Sequence, residues 1–423
     1  MKKFKRFLVY DPRAAFYVIS AAGILLYFLL SLRYGNDLYR WMVQENKPDL
    51  RFCDYFYHFA LTADRRNLYQ QISWDAAGCF PPLAYCLYWA VYKLTAVPGY
   101  RLQGWAATEK IPGALSVFTY VLIFTALLFF LAIGITGRKN RKRDVLIFTL
   151  LMLSAVFLGS GYMTGNSTML VLAVLIAALR LRESDVPLRR ELALVLLAFC
   201  VAMKLYPAVF GLLYLKDRRY KELLRLILYS FVLLFAPFAF FGGITGLKAW
   251  LKHIMTTMHY TDYARPQYLM GIFHTLLKRF AGVADKRIST GLSVLVCLVW
   301  TLLAWRSRSR VRTVFFLICI MVFFPANAYR YSLSYFTIPL VAFLKADGPE
   351  DNWHFTVAMI LYGLLFTIPV WWLAVIPMTR TYRYYTLTPV EIYLYLTAYA
   401  LIGTMMLAEG QDMILKKKEG RLK

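Results

Sequence analysis

Residues 112–143 read PGALSVFTYVLIFTALLFFLAIGITGRKNRKR. No residue from Pro112 to Ile135 is charged. As a helix rising about 1.5 Å per residue, that run is long enough to cross about 30 Å of hydrocarbon. Arg138, Lys139, Arg141, Lys142 and Arg143 follow at once. An apolar run closed by a basic cluster is the mark of a membrane span entering a cytoplasmic loop.

The same unit recurs in both directions along the chain. Basic clusters at Lys2–Arg6, Arg180–Arg190, Lys216–Arg225, Arg306–Arg312 and Lys416–Lys423 alternate with apolar runs. The spans read as Ala14–Leu32, Pro81–Val97, Pro112–Ile135, Val145–Leu158, Thr168–Leu181, Leu192–Met203, Tyr206–Leu215, Leu223–Phe241, Gly291–Trp305, Thr313–Pro325, Ser334–Leu344, Phe355–Ile376 and Val390–Leu407. This predicts an all-α, polytopic bundle of about 11–13 transmembrane helices. It is read as one integral membrane domain over residues 1–423, with no internal repeat and no separate soluble domain.

Composition agrees. Hydrophobic residues make up 60% of the 423 and charged residues 17%, against about 45–50% and 25% in soluble domains. The formal net charge of +26 would suggest nucleic acid in a soluble protein. Confined to short clusters between spans, it reads instead as positive-inside loops facing anionic lipid, and nucleic-acid binding is excluded. Cys86, Cys200, Cys297 and Cys319 lie in apolar runs as small hydrophobes. Cys53 and Cys79 flank an outer loop, and their spacing does not require a disulfide.

The charge rule creates one conflict. With the N-terminus inside, three crossings before Arg138 would put Arg138–Arg143 outside. Either one early segment is re-entrant or one loop violates the charge rule, and the proline-rich start of Pro81–Val97 singles that segment out for a partial crossing. Two long loops, 33–80 and 242–290, fall outside. Long loops in a compact protein are more often functional than spacers.

In the first loop, Phe52, Tyr55, Phe56 and Phe59 share one helical face, and Asp54 and His58 share another. Such a helix would lie along the bilayer surface with its aromatics in the headgroups. Asp54 could then act as a general base above the membrane. On spacing alone it reads more readily as a solvated or helix-capping residue of an interfacial helix.

Asp54, then Asn67-Leu68-Tyr69, then Phe80-Pro81-Pro82-Leu83 opening an apolar helix, resembles the GT-C-fold glycosyltransferases. The resemblance is greatest to family 87, whose members use polyprenyl-phosphate-mannose. Thr164-Gly165-Asn166-Ser167-Thr168 resembles that family's Gly-Gln-x-Asn turn, with Asn166 in place of Gln and Thr168 in place of Asn. Ala202-Met203-Lys204-Leu205-Tyr206-Pro207 resembles its Lys-x-x-Pro helix break, and Lys216–Tyr220 its basic loop. The likeness spans about residues 14–245, a GT-C-like catalytic core, and 246–423 add further helices. It implies that Asp54 is the base of an inverting transfer. A hexose, mannose by the family's habit, would pass from a polyprenyl-phosphate carrier to a glycan or glycolipid acceptor at the outer face. The compact loops point to a bacterial cytoplasmic membrane.

The leaving group would be a lipid phosphate, so cations are the informative residues. Lys204 sits between two apolar runs at a helix break, where an ionisable group is a functional candidate by default. The bland alternative is a snorkelling lysine at a helix end. Arg330, after the break at Pro325, is a second phosphate candidate or a headgroup-binding arginine. His58, Asn166, His259, Arg265 and Tyr331 are candidate pocket residues. The histidine spacings form no metal set, and the reaction asks for no cofactor. Two other classes compete. A flippase for lipid-linked saccharides would carry repeats and midplane charges. A polymerase or ligase using pyrophosphate-linked donors would not need the first-loop aspartate.

Overall fold

The computed structural model describes residues 11–35, 55, 58–59, 61–70, 80–95, 114–137, 140–154, 156–158, 165–260, 269–283, 285–325, 330–346, 353–367 and 389–419. Side chains are excepted at 114–115, 256–260, 389–391 and 415–419. The described residues form helices and no strand. In chain order these are α1 (Arg13–Tyr34), α2 (Pro82–Thr95), α3 (Ala114–Ile135), α4 (Arg141–Met152), α5 (Thr168–Leu181), α6 (Pro187–Met203), α7 (Gly211–Lys216) and α8 (Tyr220–Phe235). Then come α9 (Gly243–Tyr260), α10 (Leu269–Ala281), α11 (Lys286–Arg306), α12 (Arg310–Phe323), α13 (Thr337–Lys345), α14 (Trp353–Leu365) and α15 (Pro389–Glu419). Short 3-10 turns at Thr62–Asp64, Tyr206–Phe210, Ala236–Phe240 and Arg330–Phe336 join them.

The helix starts are local chemistry. Asn140, Asp285 and Ser309 each accept a backbone N–H of the following turn with their side chains. Pro187 occupies the first turn of α6, where its missing N–H costs nothing. Among the described residues, five stretches are long and apolar enough to cross a membrane: Arg13–Tyr34, Ser116–Ile135, Tyr220–Phe240, Lys286–Arg306 and Ile392–Ile414. The chain is an all-α polytopic membrane protein.

Side-chain contacts sort the turns into two ends. At one end, Arg13 donates to Ala346 O, Lys345 pairs with Asp144 and donates to Ile133 O, and Arg180 donates to Ile135 O. Arg182 and Arg310 both pair with Asp217. Lys216 donates to the Ala304 and Ser307 carbonyls and the Thr313 hydroxyl, and Arg312 pairs with Glu409 and Asp412. This is the basic end. Residues 55, 58–59, 61–69, 80–88, 118, 165–168, 204, 238 and 331 meet at the other.

Twelve passages connect these ends among the described residues: α1, α3, α4 with Val156–Leu158, α5, α6, Tyr206–Lys216, α8, α11, α12, Arg330–Lys345, α14 and α15. α2 is not one of them. Tyr85 near its start hydrogen-bonds His58, Trp89 takes the Arg65 guanidinium over its ring, and Tyr92 packs on Phe59. Through Tyr85, Trp89 and Tyr92 it keeps company with first-loop residues, which fits a partial crossing. With α2 set aside, α1 leaves the basic end and α3 returns to it, so Arg141 and Arg143 join the other clusters.

One sequence expectation is corrected. The helix around Asp54 was expected to lie on the bilayer with its aromatics in the headgroups and His58 on its wet side. Instead Tyr55, Phe59 and His58 are all buried within the protein. Tyr55 packs on Phe118, Tyr88 and Phe59, because α2 and α3 cover the segment that water or lipid was expected to cover.

Candidate functional site

Pro207 explains where the site begins. A proline has no N–H to donate and its ring collides with the carbonyl four residues back, here Met203. α6 ends at Met203, and Lys204 turns to extended backbone at φ −150°, ψ 126°. The chain resumes as a 3-10 turn from Tyr206. This break swings the Lys204 side chain inward, leaving the residue 3% exposed.

Facing it is the turn that opens α5. Gly165 has φ +65°, and a Cβ built there would stand 2.6 Å from the Tyr55 Cβ. Both conditions ask for glycine. The next residue, Asn166, accepts the Thr168 amide at 3.0 Å and the Thr168 hydroxyl at 2.6 Å through Oδ1. Its side chain thus closes the first turn of α5 as a cap does.

Lys204 Nζ donates to Asn166 Oδ1 and to Thr168 Oγ1, both at 2.6 Å. The ammonium also lies 4.7 Å from the Tyr331 ring centroid and 5.2 Å from that of Phe80, within cation–π range of both. These two oxygens and two rings fix the position of the charge. Phe80 is held in turn: its carbonyl accepts the Tyr69 hydroxyl at 3.0 Å, and His58 packs on its ring at 4.4 Å.

His58 shares a hydrogen bond with Tyr85, Nδ1 to phenol oxygen 3.2 Å. Burial, with the charge of Lys204 adding to it, pushes its pKa down to about 3. The imidazole is therefore neutral near pH 7. Arg330 opens the 3-10 turn next to Tyr331 and is 9% exposed.

The structure thus brings together His58, Asn166, Lys204 and Tyr331, with Arg330 one residue away. Asp54, Arg265, Cys53 and Cys79 lie outside the described residues, as does the His259 side chain. Phe80 and Thr168 are members that spacing did not single out as site residues. Phe80 was visible only as the start of an apolar helix, and Thr168 only as a departure from a motif. Among the described residues, no group of three or more His, Cys, Asp or Glu side chains could hold a metal.

The sequence profile of glycosyltransferase family 87 matches residues 106–327, more than half of the chain. The chain belongs to glycosyltransferase family 87. Lys204, Asn166 and Thr168 fall within the matched stretch, while Asp54 and Arg330 fall outside it. Comparison with curated proteins and with solved structures finds no match. As a family 87 glycosyltransferase, the protein acts on a sugar donor and an acceptor from within a lipid membrane. The buried ammonium at the helix break is the feature of this chain that such chemistry can use.

Proposed function

We propose that this glycosyltransferase moves a hexose, mannose in the simplest case, from a polyprenyl monophosphate to a glycan or glycolipid acceptor. The transfer occurs at the end of the bundle away from the basic loops, which the positive-inside rule makes the outer face. The bacterial cytoplasmic membrane is the setting that fits this reading.

The observation that carries the proposal is Lys204, a buried ammonium held by the Asn166 and Thr168 side-chain oxygens at a helix break. In the reaction, an acceptor hydroxyl attacks the anomeric carbon from the face opposite the phosphate, and Asp54 takes its proton. The anomeric C–O bond to phosphate breaks, its electron pair goes to the lipid phosphate, and the sugar's configuration inverts. Lys204 and Arg330 stabilise the charge that grows on the departing phosphate. Such preorganised cations act most strongly where water is excluded.

The position of Tyr55 supports a role for Asp54. Tyr55 packs against the Gly165 turn, one residue from the Asn166 that holds Lys204. Asp54 is the residue before Tyr55 in the sequence. Tyr331, partly exposed beside Lys204, offers an aromatic face and a polar edge suited to a sugar ring.

The test is transfer from a panel of radiolabelled polyprenyl-phosphate hexoses by purified protein with its native lipid extract, Asp54→Asn alongside. Transfer by the wild type and its near-loss in the variant is the expected result. A folded wild type that uses pyrophosphate-linked donors but none of the monophosphates would reject the proposal.

A further inference from the structure

The end of the bundle that carries the Lys204 site should be poor in cations under the positive-inside rule. The junction of α10 and α11 breaks that rule. Lys278 and Arg279 stand in the last turn of α10, and Lys286 and Arg287 in the first turn of α11. All four are exposed, and the side chain of Asp285 beside them accepts the Arg287 amide at 2.8 Å.

The junction also exposes apolar bulk. Phe280 is 82% exposed, Leu276 lies one turn before it on the same face, and Ile288 follows in α11. Leu269 and Gly271, at the other end of α10, are buried, and Met270 meets the Thr290 hydroxyl. α10 is therefore seated on α11 by its first turn and presents its second half outward.

The depth of this junction is set by α11. The helix is apolar and 21 residues long, about 31 Å at 1.5 Å per residue, which matches the hydrocarbon thickness. Its far end is fixed at the basic end, where Lys216 takes the Ala304 carbonyl. Lys286 and Arg287 then fall at headgroup level in the opposite leaflet. Leu295, Leu298 and Leu302 leave the neighbouring side of α11 open to lipid. Cations flanking an exposed aromatic at this depth are the pattern of an interfacial anchor.

We infer that the α10–α11 junction binds anionic phospholipid headgroups of the outer leaflet, with Phe280 and Leu276 inserted between the chains. Lys278, Arg279, Lys286 and Arg287 take the phosphates. The site lies in a different part of the chain from Lys204 and does not depend on the transfer reaction.

The test places a fluorophore on Phe280→Cys, in protein whose Cys53 and Cys79 are serine, and reconstitutes it in nanodiscs. Quenching is read with nitroxide-labelled phosphatidylglycerol and with the same label on phosphatidylcholine. Each surface cation contributes about fivefold to anionic-lipid binding. Quenching should therefore favour phosphatidylglycerol several-fold, and 0.5 M salt, on the order of a 4 Å screening length, should abolish the preference. Replacing the four cations with serine should do the same at low salt. Equal quenching by the two lipids, or a preference that survives high salt, would overturn the inference. So would binding of a soluble anionic polysaccharide at the junction in neutral nanodiscs, which would assign the cations to an acceptor instead.

Discussion

Lys204 Nζ and Thr168 Oγ1 lie 2.6 Å apart, although 36 residues separate them, and both share the Asn166 oxygen. A helix break on one side and a helix start on the other face each other, and each supplies what the other lacks. Thr168 and Asn166 act here as positioning residues for an ammonium that would otherwise be free to leave a low-dielectric site. If Lys204 receives charge from the donor phosphate, Lys204→Ala should lower turnover by about 10²–10³-fold, as for removal of one oxyanion donor. Thr168→Val should cost about tenfold, near the lower end of a hydrogen bond to a charged group. The measurement is initial rate against donor concentration, with thermal unfolding in parallel. Equal melting-temperature losses with unchanged kcat/KM would reduce Lys204 to a structural residue.

Asp54→Asn keeps the size and polarity of the side chain and removes its ability to take a proton. A positioned general base contributes about 10²–10⁴-fold, and turnover should fall by that factor while the melting temperature stays within a degree or so. Donor binding, read by displacement of a fluorescent polyprenyl phosphate, should be unchanged. A variant that retains near-full activity would remove Asp54 from the chemistry.

The spans and the odd status of residues 81–97 were legible because they follow from one-dimensional rules. Apolar length sets a crossing, and the repeated basic clusters fix its sense. The conflict at Arg138 leaves either a re-entrant segment or a loop that breaks the charge rule, and the contacts of α2 favour the first. Lys204 was legible for a similar reason, as a charge between apolar runs beside Pro207. What the sequence could not supply was which groups meet it. The partnership of Lys204 with Asn166 and Thr168 depends on α5 and α6 running antiparallel with their ends in register. The Phe80 ring depends on a loop folding back over both. The burial of His58 was missed because helical spacing tells which residues share a face, not what covers that face. α2 and α3 cover it.

Gly165→Ala should destabilise the protein and also impair activity. Its φ of +65° costs an L-residue about 1–2 kcal/mol, and the new methyl would meet the Tyr55 Cβ at 2.6 Å. Relief would move the very turn that aims Asn166. Gly291→Ala is the matched control, since nothing lies within 4 Å of a Cβ there and no positive φ is involved. It should leave stability unchanged or raise it by up to about 1 kcal/mol. Thermal unfolding in detergent, followed by transfer rate, would separate the two glycines. Equal behaviour would mean that the Gly165 turn is not constrained.

The basic end should carry an acid-sensitive lock. Asp217 accepts from Arg310 Nη2 at 2.7 Å and pairs with Arg182, whose side chain is buried. Burial works to raise the Asp217 pKa, but the hydrogen bonds from Arg310 and Arg182 outweigh it and hold the carboxyl below its usual value. A depressed carboxyl contributes stability above its unfolded value of about 3.9 and loses it as pH falls through the lower folded value. Asp217→Asn should therefore lower stability at pH 7 by about 1–3 kcal/mol, the cost of leaving a buried charged donor under-satisfied. The gap between variant and wild type should close below about pH 4. A gap that stays constant from pH 7 to pH 3 would show that the carboxylate charge is not the stabilising element.

The arrangement of α2 makes a prediction about sidedness that needs no activity at all. Cysteines introduced at Arg66 and Lys93, which bracket the first-loop contacts with α2, should both react with a membrane-impermeant maleimide added from outside. Cysteines at Lys142 and Lys221, in clusters at the basic end, should react only after the membrane is made permeable. A full crossing by residues 82–95 would separate Arg66 from Lys93 by the thickness of the bilayer and give them opposite labelling. It would also turn Lys142 outward and force every later passage to reverse. The contact of Trp89 with Arg65, at 5.3 Å from guanidinium carbon to ring centroid, argues against that outcome. A helix that carried Trp89 two turns towards the far side could not keep a first-loop arginine over its ring. Matching labels at Arg66 and Lys93, opposite to those at Lys142 and Lys221, is the expected pattern. Opposite labels within the first pair would overturn this topology and with it the proposal that Lys204 faces outward.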